Sequence, residues 1–292
     1  LTKLLNQNFG EEIFQNWEKT EHLSVKGAVG SAVSILAAEA FLSQQKTILL
    51  ITDDKEDSHY TTTEMEELVG EQNVLHLPNS YTEPYQEERT KNANLVLRTE
   101  VINQLNLNNK QKIIVAHISA LNEKVLKKED FKMISHRIKT GEKLDFDFTE
   151  ELLNQFHFNL TDFFSEPGEF AVRGGIVDVF SYSNEKPFRI TFFGNEIESI
   201  KTFDIETQLS VEKVDEFQLV SNINLSTQGG KVPFFDLLPS DSLIMIKNAY
   251  SCLDKMETFY QKAQNQFDKL SKTIKHREPH ELFLSSDEFS RC

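Results

Sequence analysis

The stretch at 166–210, EPGEFAVRGGIVDVFSYSNEKPFRITFFGNEIESIKTFDIETQLS, constrains the fold more than any other part of the chain. Four short runs, 170–173, 176–180, 188–193 and 196–203, are separated by turn signals. Gly174-Gly175 breaks the first from the second, and Gly194-Asn195 is a two-residue, type II′-like hairpin signal between the third and fourth. The pattern predicts an antiparallel meander, with one face packed and the other meeting water or a partner.

Alternation assigns the faces. In FRITFF, Phe188, Ile190 and Phe192 point one way, and Arg189, Thr191 and Phe193 the other. In FAVR, Phe170 and Val172 share a face opposite Ala171 and Arg173. With the phenylalanine-rich faces forming the core, Arg173, Arg189 and Phe193 stand together on the outside. Arginine and aromatic side chains on an exposed sheet face have the composition of a protein-binding hot spot. The competing expectation is an ordinary solvated face with one stray phenylalanine.

The rest of the chain supplies a different architecture. Apolar residues at helical spacing over 2–19 predict a helix, and a glycine-bearing turn leads into an apolar helix over 32–43. TILLIT (47–52) and KIIVA (112–116) read as buried parallel strands, with helices over 54–69 and 87–105 and a further strand over 73–77. Strands alternating with helices predict a parallel sheet wrapped by helices. A strand over 131–139 and a helix over 149–156 precede the meander. A strand over 217–220, a buried strand over 242–246 (SLIMI) and a long polar helix over 251–273 follow it. One strand and one helix cannot bury a core alone, so the last part is expected to pack back on the first. The expected domains are 1–125, an inserted α+β domain at 126–210, and a returning segment at 211–292. The 292 residues suit such a division.

Charge narrows the function. Asp and Glu outnumber Lys and Arg by 46 to 31, for a net charge of −15, a field that repels a phosphate backbone. Lys124, Lys127, Lys128 and Lys132 are interrupted by acids and read as a solvated connector. Cys252 and Cys292 make neither a disulfide framework nor a zinc site, which fits a reducing cytoplasm. No run of 18 apolar residues exists to span a membrane, and the start lacks a charged-then-apolar leader. Leu1 in place of Met, and the end at Cys292, suggest a piece cut from a longer chain.

The turn GAVGSAVS (27–34) lies where a phosphate-binding loop would precede its helix. In the register of G-x-x-x-x-G-K-[ST], Gly27 is the first glycine and Gly30 falls within the loop. Ala32 replaces the last glycine, Val33 replaces the lysine, and only Ser34 keeps a hydroxyl. The strand SLIMI runs into Lys247 where a metal-holding acid should stand. Both halves fail independently, so no ATPase, no cofactor and no metal are expected. His276 and His280 have Arg277 where a zincin has glutamate, and no third ligand is evident. An ATPase with an unconventional site and a direct binder of damaged DNA are the rival readings.

EPGEFAVRGGIVDVF, PFRITFFGNEIESIKTFD and ETQLS, with LPNSYTEPY (77–85), LRTEVINQL (97–105) and LLPSDSLIMI, resemble the amino-terminal region of the bacterial transcription-repair coupling factor (Mfd) family. That region is itself similar to the excision-repair protein UvrB. The resemblance implies an α/β fold in which a degenerate RecA-like, P-loop NTPase-like domain is split by an inserted α+β domain. It implies a module that does not hydrolyse ATP and whose second domain binds UvrA, recruiting excision repair to stalled RNA polymerase. It places the family's UvrA-contacting residues on Arg173, Arg189 and Phe193. UvrB's DNA-threading β-hairpin has no counterpart between Tyr81 and Arg98. The ATP-driven DNA translocase and the contacts to RNA polymerase and DNA belong to later domains of such a protein. The resemblance also implies that in such a protein an intramolecular contact with the carboxy-terminal region masks the UvrA surface.

Overall fold

The computed structural model describes residues 22–80, 83–86, 92–107, 110–163, 165–207, 209–223, 229–270 and 276–291. The helix expected over 2–19 and the start of that expected over 87–105 lie outside these residues. The chain divides into two compact units, one containing residues up to 79, 107–124 and 233 onward, the second 80–106 and 125–232.

The first unit opens with α1 (Ala32–Gln44), β1 (Ile48–Thr52), α2 (Lys55–Val69) and β2 (Val74–Leu77). The chain then enters the second unit with α3 (Asn92–Leu107) and returns with β3 (Ile113–His117) and α4 (Ile118–Asn122). It leaves again through β4 (Val125–Leu126), α5 (Lys128–Met133), β5 (Ser135–Lys139), α6 (Phe146–Gln155) and β6 (Asn159–Leu160). The meander follows as β7 (Glu169–Arg173), β8 (Ile176–Val179), β9 (Phe188–Phe193), β10 (Glu196–Phe203) and β11 (Ser210–Val214), with β12 (Glu216–Val220) and β13 (Lys231–Val232) after it. The first unit closes with β14 (Leu243–Ile246), α7 (Ala249–Phe267), α8 (Pro279–Leu282) and α9 (Ser286–Phe289).

Its sheet runs β14-β1-β3-β2, and every pair is parallel. All five residues of β1 are buried, as a central strand covered on both faces requires. Ala37, Ala38 and Ala40 of α1 meet Ile48, Leu50, Ile113 and Val115, with Met65 of α2 beside them. Asp54 caps α2, its side chain accepting from the Asp57 amide at 3.1 Å. β14 departs from expectation. It is an edge strand, and Ile244 and Ile246 are exposed rather than buried. Lys124 is no solvated connector either, because its side chain is largely buried and pairs with Glu288 at 2.9 Å.

The second unit is built on a sheet of order β11-β10-β9-β8-β7-β6, antiparallel except that β6 runs parallel to β7. One face carries Phe170, Val177, Val179, Phe188, Ile190 and Ile200 and packs on Leu152 and Leu153 of α6. Ile138 of β5 and Phe217 and Leu219 of β12 join the same core, with the Phe217 ring stacked 4.0 Å from that of Phe188. β12 pairs antiparallel with β5 and so belongs to this unit. Gly194 takes φ +61° at the first central position of the β9–β10 turn, the conformation that a type II′ hairpin demands. The strand expected over 131–139 is half helix. Glu129 and Asp130 favour the first turn of α5, and only 135–139 extend. The result is a parallel α/β domain interrupted by an α+β domain with an antiparallel sheet, a RecA-like fold with an insertion.

Candidate functional site

The register of the meander aligns two rows of side chains on the face opposite the core. Arg173 stands opposite Ile176, which stands opposite Thr191; Ala171 stands opposite Asp178, which stands opposite Arg189. Phe193 lies two residues beyond Thr191 on β9, at the end that turns into β10. Arg173, Arg189 and Phe193 therefore share the outer face, as the alternation requires.

They are not equivalent. Phe193 is 78% exposed. The Arg189 side chain is only 21% exposed, and its guanidinium forks onto Asp178, with Nε donating to Oδ1 at 2.7 Å and Nη2 to Oδ2 at 2.8 Å. The Asp178 side chain is 1% exposed, so this is a bidentate pair over a buried carboxylate. Hydrogen bonding to Asp178 raises the pKa of Arg189 further, and the Arg189 cation lies 4.9 Å from the centroid of the Phe203 ring. Arg173 is the more open arginine, at 43%. Its Nη1 stands 3.8 Å from Asp178, its Nη2 donates to the Asp162 carbonyl at 2.6 Å, and its guanidinium lies over Phe163.

Asp178 is the member of this face that the sequence reading missed. A carboxylate buried this deeply is unfavourable unless ionic hydrogen bonds satisfy it. The signal available in sequence was an acid at an outward position of β8, in IVDV, between strands that carry outward arginines. Phe163 was missed as well. It follows β6 in a loop, where no periodicity marks it.

The turn expected to be a lapsed phosphate loop leads into α1 from a Gly30 of φ +57°, after Gly27 at φ +86°. Ala32 and Val33 are the first two residues of α1, and Val33 packs among the apolar residues of the parallel sheet's core. The Ser34 hydroxyl, the one element of the pattern retained, donates to Glu64 Oε2 at 2.6 Å, and Ser31 donates to Oε1 of the same carboxylate. Burial pushes the Glu64 carboxyl up, but the hydroxyls of Ser31, Ser34 and Tyr60 outweigh it, so its pKa falls below the usual carboxylate value. Lys247, at the end of β14, pairs with Asp57 at 2.6 Å. Among the described residues no group of three His, Cys, Asp or Glu is placed to hold a metal, and no helix is long and apolar enough to cross a membrane. His280 pairs with Glu278 at 3.3 Å at a mostly exposed helix start.

Comparison with known proteins finds a family match over the part of the chain that contains this sheet. The family described as the UvrB interaction domain matches residues 137–224, from within β5 to just past β12. The chain is 28% identical over 193 residues to the transcription-repair-coupling factor of Bacillus subtilis, an alignment covering 66% of this chain and 16% of that protein. It is 27% identical over 206 residues to that of Myxococcus xanthus, covering 68% and 17%. The Escherichia coli protein of the same name is 25% identical over 206 residues, covering 70% and 18%. The chain spans under a fifth of the length of these relatives. Residues 137–224 are therefore similar to the UvrB interaction domain, within a sequence similar over about two thirds of its length to the bacterial transcription-repair-coupling factors.

Proposed function

We propose that the chain is an adaptor module whose second unit binds UvrA through the outer face of the antiparallel sheet. The observation that carries this reading is an open arginine and a free phenylalanine, Arg173 and Phe193, on one face of a UvrB interaction domain. Arg173 reaches acids of the partner with the donors its own contacts leave over, and Phe193 enters an apolar pocket. Arg189 adds charge from behind while holding Asp178. The module then recruits excision repair to stalled RNA polymerase in the cytoplasm. Translocation on DNA and attachment to polymerase are assigned to other parts of a longer coupling factor.

We also propose that the module hydrolyses no ATP. Val33 at the lysine position, a Ser34 hydroxyl taken up by Glu64 and a Lys247 facing Asp57 all favour this. The test is calorimetric titration with UvrA of the same organism, wild type beside Arg173→Ala, with circular dichroism to confirm the fold. Binding that the substitution removes supports the reading. A wild type that does not bind, or a variant that binds equally well, refutes it. ATP with Mg²⁺ in the same cell is expected to give no heat of binding.

A further inference from the structure

The loop after β6 presents a second large aromatic ring to water. Phe163 is 82% exposed, and the Arg173 guanidinium carbon stands 5.3 Å from its centroid. The residue before it supplies the carbonyl that accepts from Arg173 Nη2 at 2.6 Å. One dipeptide thus grips one guanidinium twice. An exposed cation–π contact is a weak stabiliser and does not by itself account for leaving a phenyl ring in solvent.

Its position on the sheet gives the ring a use. β6 pairs in parallel with β7, Leu160 opposite Phe170, and the Thr161 amide continues the ladder to the Phe170 carbonyl at 2.9 Å. Carried forward, that register brings Phe163 alongside Arg173, while β8 and β9 carry the same row on to Thr191 and, two residues further, to Phe193. With strands about 4.8 Å apart and a rise of about 3.4 Å per residue, Phe163 and Phe193 stand roughly 16 Å from one another with Arg173 between them.

We infer that Phe163 is a second aromatic anchor of this face, bracketing Arg173 with Phe193. The partner surface that fits is a carboxylate flanked by two apolar pockets at that spacing. The inference rests on the UvrA reading above, and the occupant is UvrA because both rings and both arginines fall inside the matched UvrB interaction domain. Aromatic rings around a central arginine are the residue types that dominate binding energy at protein interfaces, and Phe163 at 82% is as open to water as Phe193 at 78%.

The experiment titrates UvrA into the whole chain as wild type, Arg173→Ala, Phe193→Ala and Phe163→Ala, with circular dichroism for each. Phe163→Ala is expected to weaken binding about tenfold or more, comparably with Phe193→Ala, and to leave the spectrum unchanged. As a check that needs no substitution, amide exchange over 161–163 is expected to slow when UvrA is added. If Arg173→Ala and Phe193→Ala weaken binding but Phe163→Ala does not, or if 161–163 gain no protection, the Phe163 assignment falls and the UvrA reading stands. If the wild type does not bind, or Arg173→Ala has no effect, both fall.

Discussion

Removing the fork from Asp178 is the sharpest perturbation of this face. In Arg189→Ala the carboxylate, 1% exposed, loses two charge-assisted hydrogen bonds of 2.7 and 2.8 Å and keeps, among the described residues, Arg173 at 3.8 Å. Breaking a buried pair by deleting one partner typically costs about 3–5 kcal/mol. Arg189 is a fifth exposed, so water screens part of that loss, and Arg173 can move in to replace some of it. The expected destabilisation is about 2–3 kcal/mol, which at a urea dependence of about 2 kcal/mol per molar shifts the unfolding midpoint down by roughly 1 M. The assay is urea unfolding of the whole chain, with amide exchange reporting β8 and β9 so that the loss is assigned to the second unit. Arg189→Lys is expected to recover little, because an ammonium cannot make the fork. Replacing both residues with apolar ones, Asp178→Leu with Arg189→Met, is expected to recover most of the stability while removing charge from the face. An Arg189→Ala midpoint within a few tenths of a molar of wild type, with β8 and β9 exchange unchanged, refutes the account of Asp178 as a buried ion held by Arg189.

Phe193→Ala, by contrast, is expected to leave stability within about 0.5 kcal/mol and to lower only UvrA affinity, since an exposed ring contributes little to the fold; urea unfolding and calorimetry together check it. Gly168 has φ +90°, and a Cβ there meets the Tyr182 ring, so Gly168→Ala is expected to cost about 2 kcal/mol or more. Gly174 has φ +62° with open space around it, so Gly174→Ala costs about 1 kcal/mol, and thermal melts of the two rank them. His76 is held at a pKa of about 4 by burial and, second, by His59, whose ring centroid lies 4.6 Å away. The folded chain therefore binds fewer protons than the unfolded chain between pH 6.5 and 4, so stability is complete above 6.5 and falls as pH drops through that window. The loss reaches at most about 3 kcal/mol, and His76→Gln is expected to flatten the urea midpoint between pH 7 and 5.

What was legible in sequence follows from geometry. β9 could be read residue by residue because an antiparallel strand with one buried face writes its burial as strict alternation, from Phe188 buried to Phe193 exposed. The parallel strands were found for the opposite reason, as unbroken apolar runs such as β1, buried at every position. β14 was misjudged because Leu243–Ile246 has that same apolar run, and only the sheet order reveals that it is an edge. Lys124 was misjudged because its partner, Glu288, is 164 residues away. The same limit hid the state of Arg189. Its outward direction is local, but whether it is free depends on Asp178, eleven residues back on the neighbouring strand, and that is a matter of register. Phe163 sits past the end of a two-residue strand, where there is no period to read.

The buried carboxylate has a consequence for what this face refuses. Two arginines on an open sheet would offer two charges to any phosphate chain. With Asp178 between them the trio carries one net positive charge instead of two, and the better-placed donors of Arg189 are already spent. In a chain of net charge −15 this leaves little for a polyanion to hold. In the proposed docking mode the surface is thereby a poor decoy site, because aromatic rings spaced around one guanidinium are a pattern that a uniform ladder of phosphates does not supply.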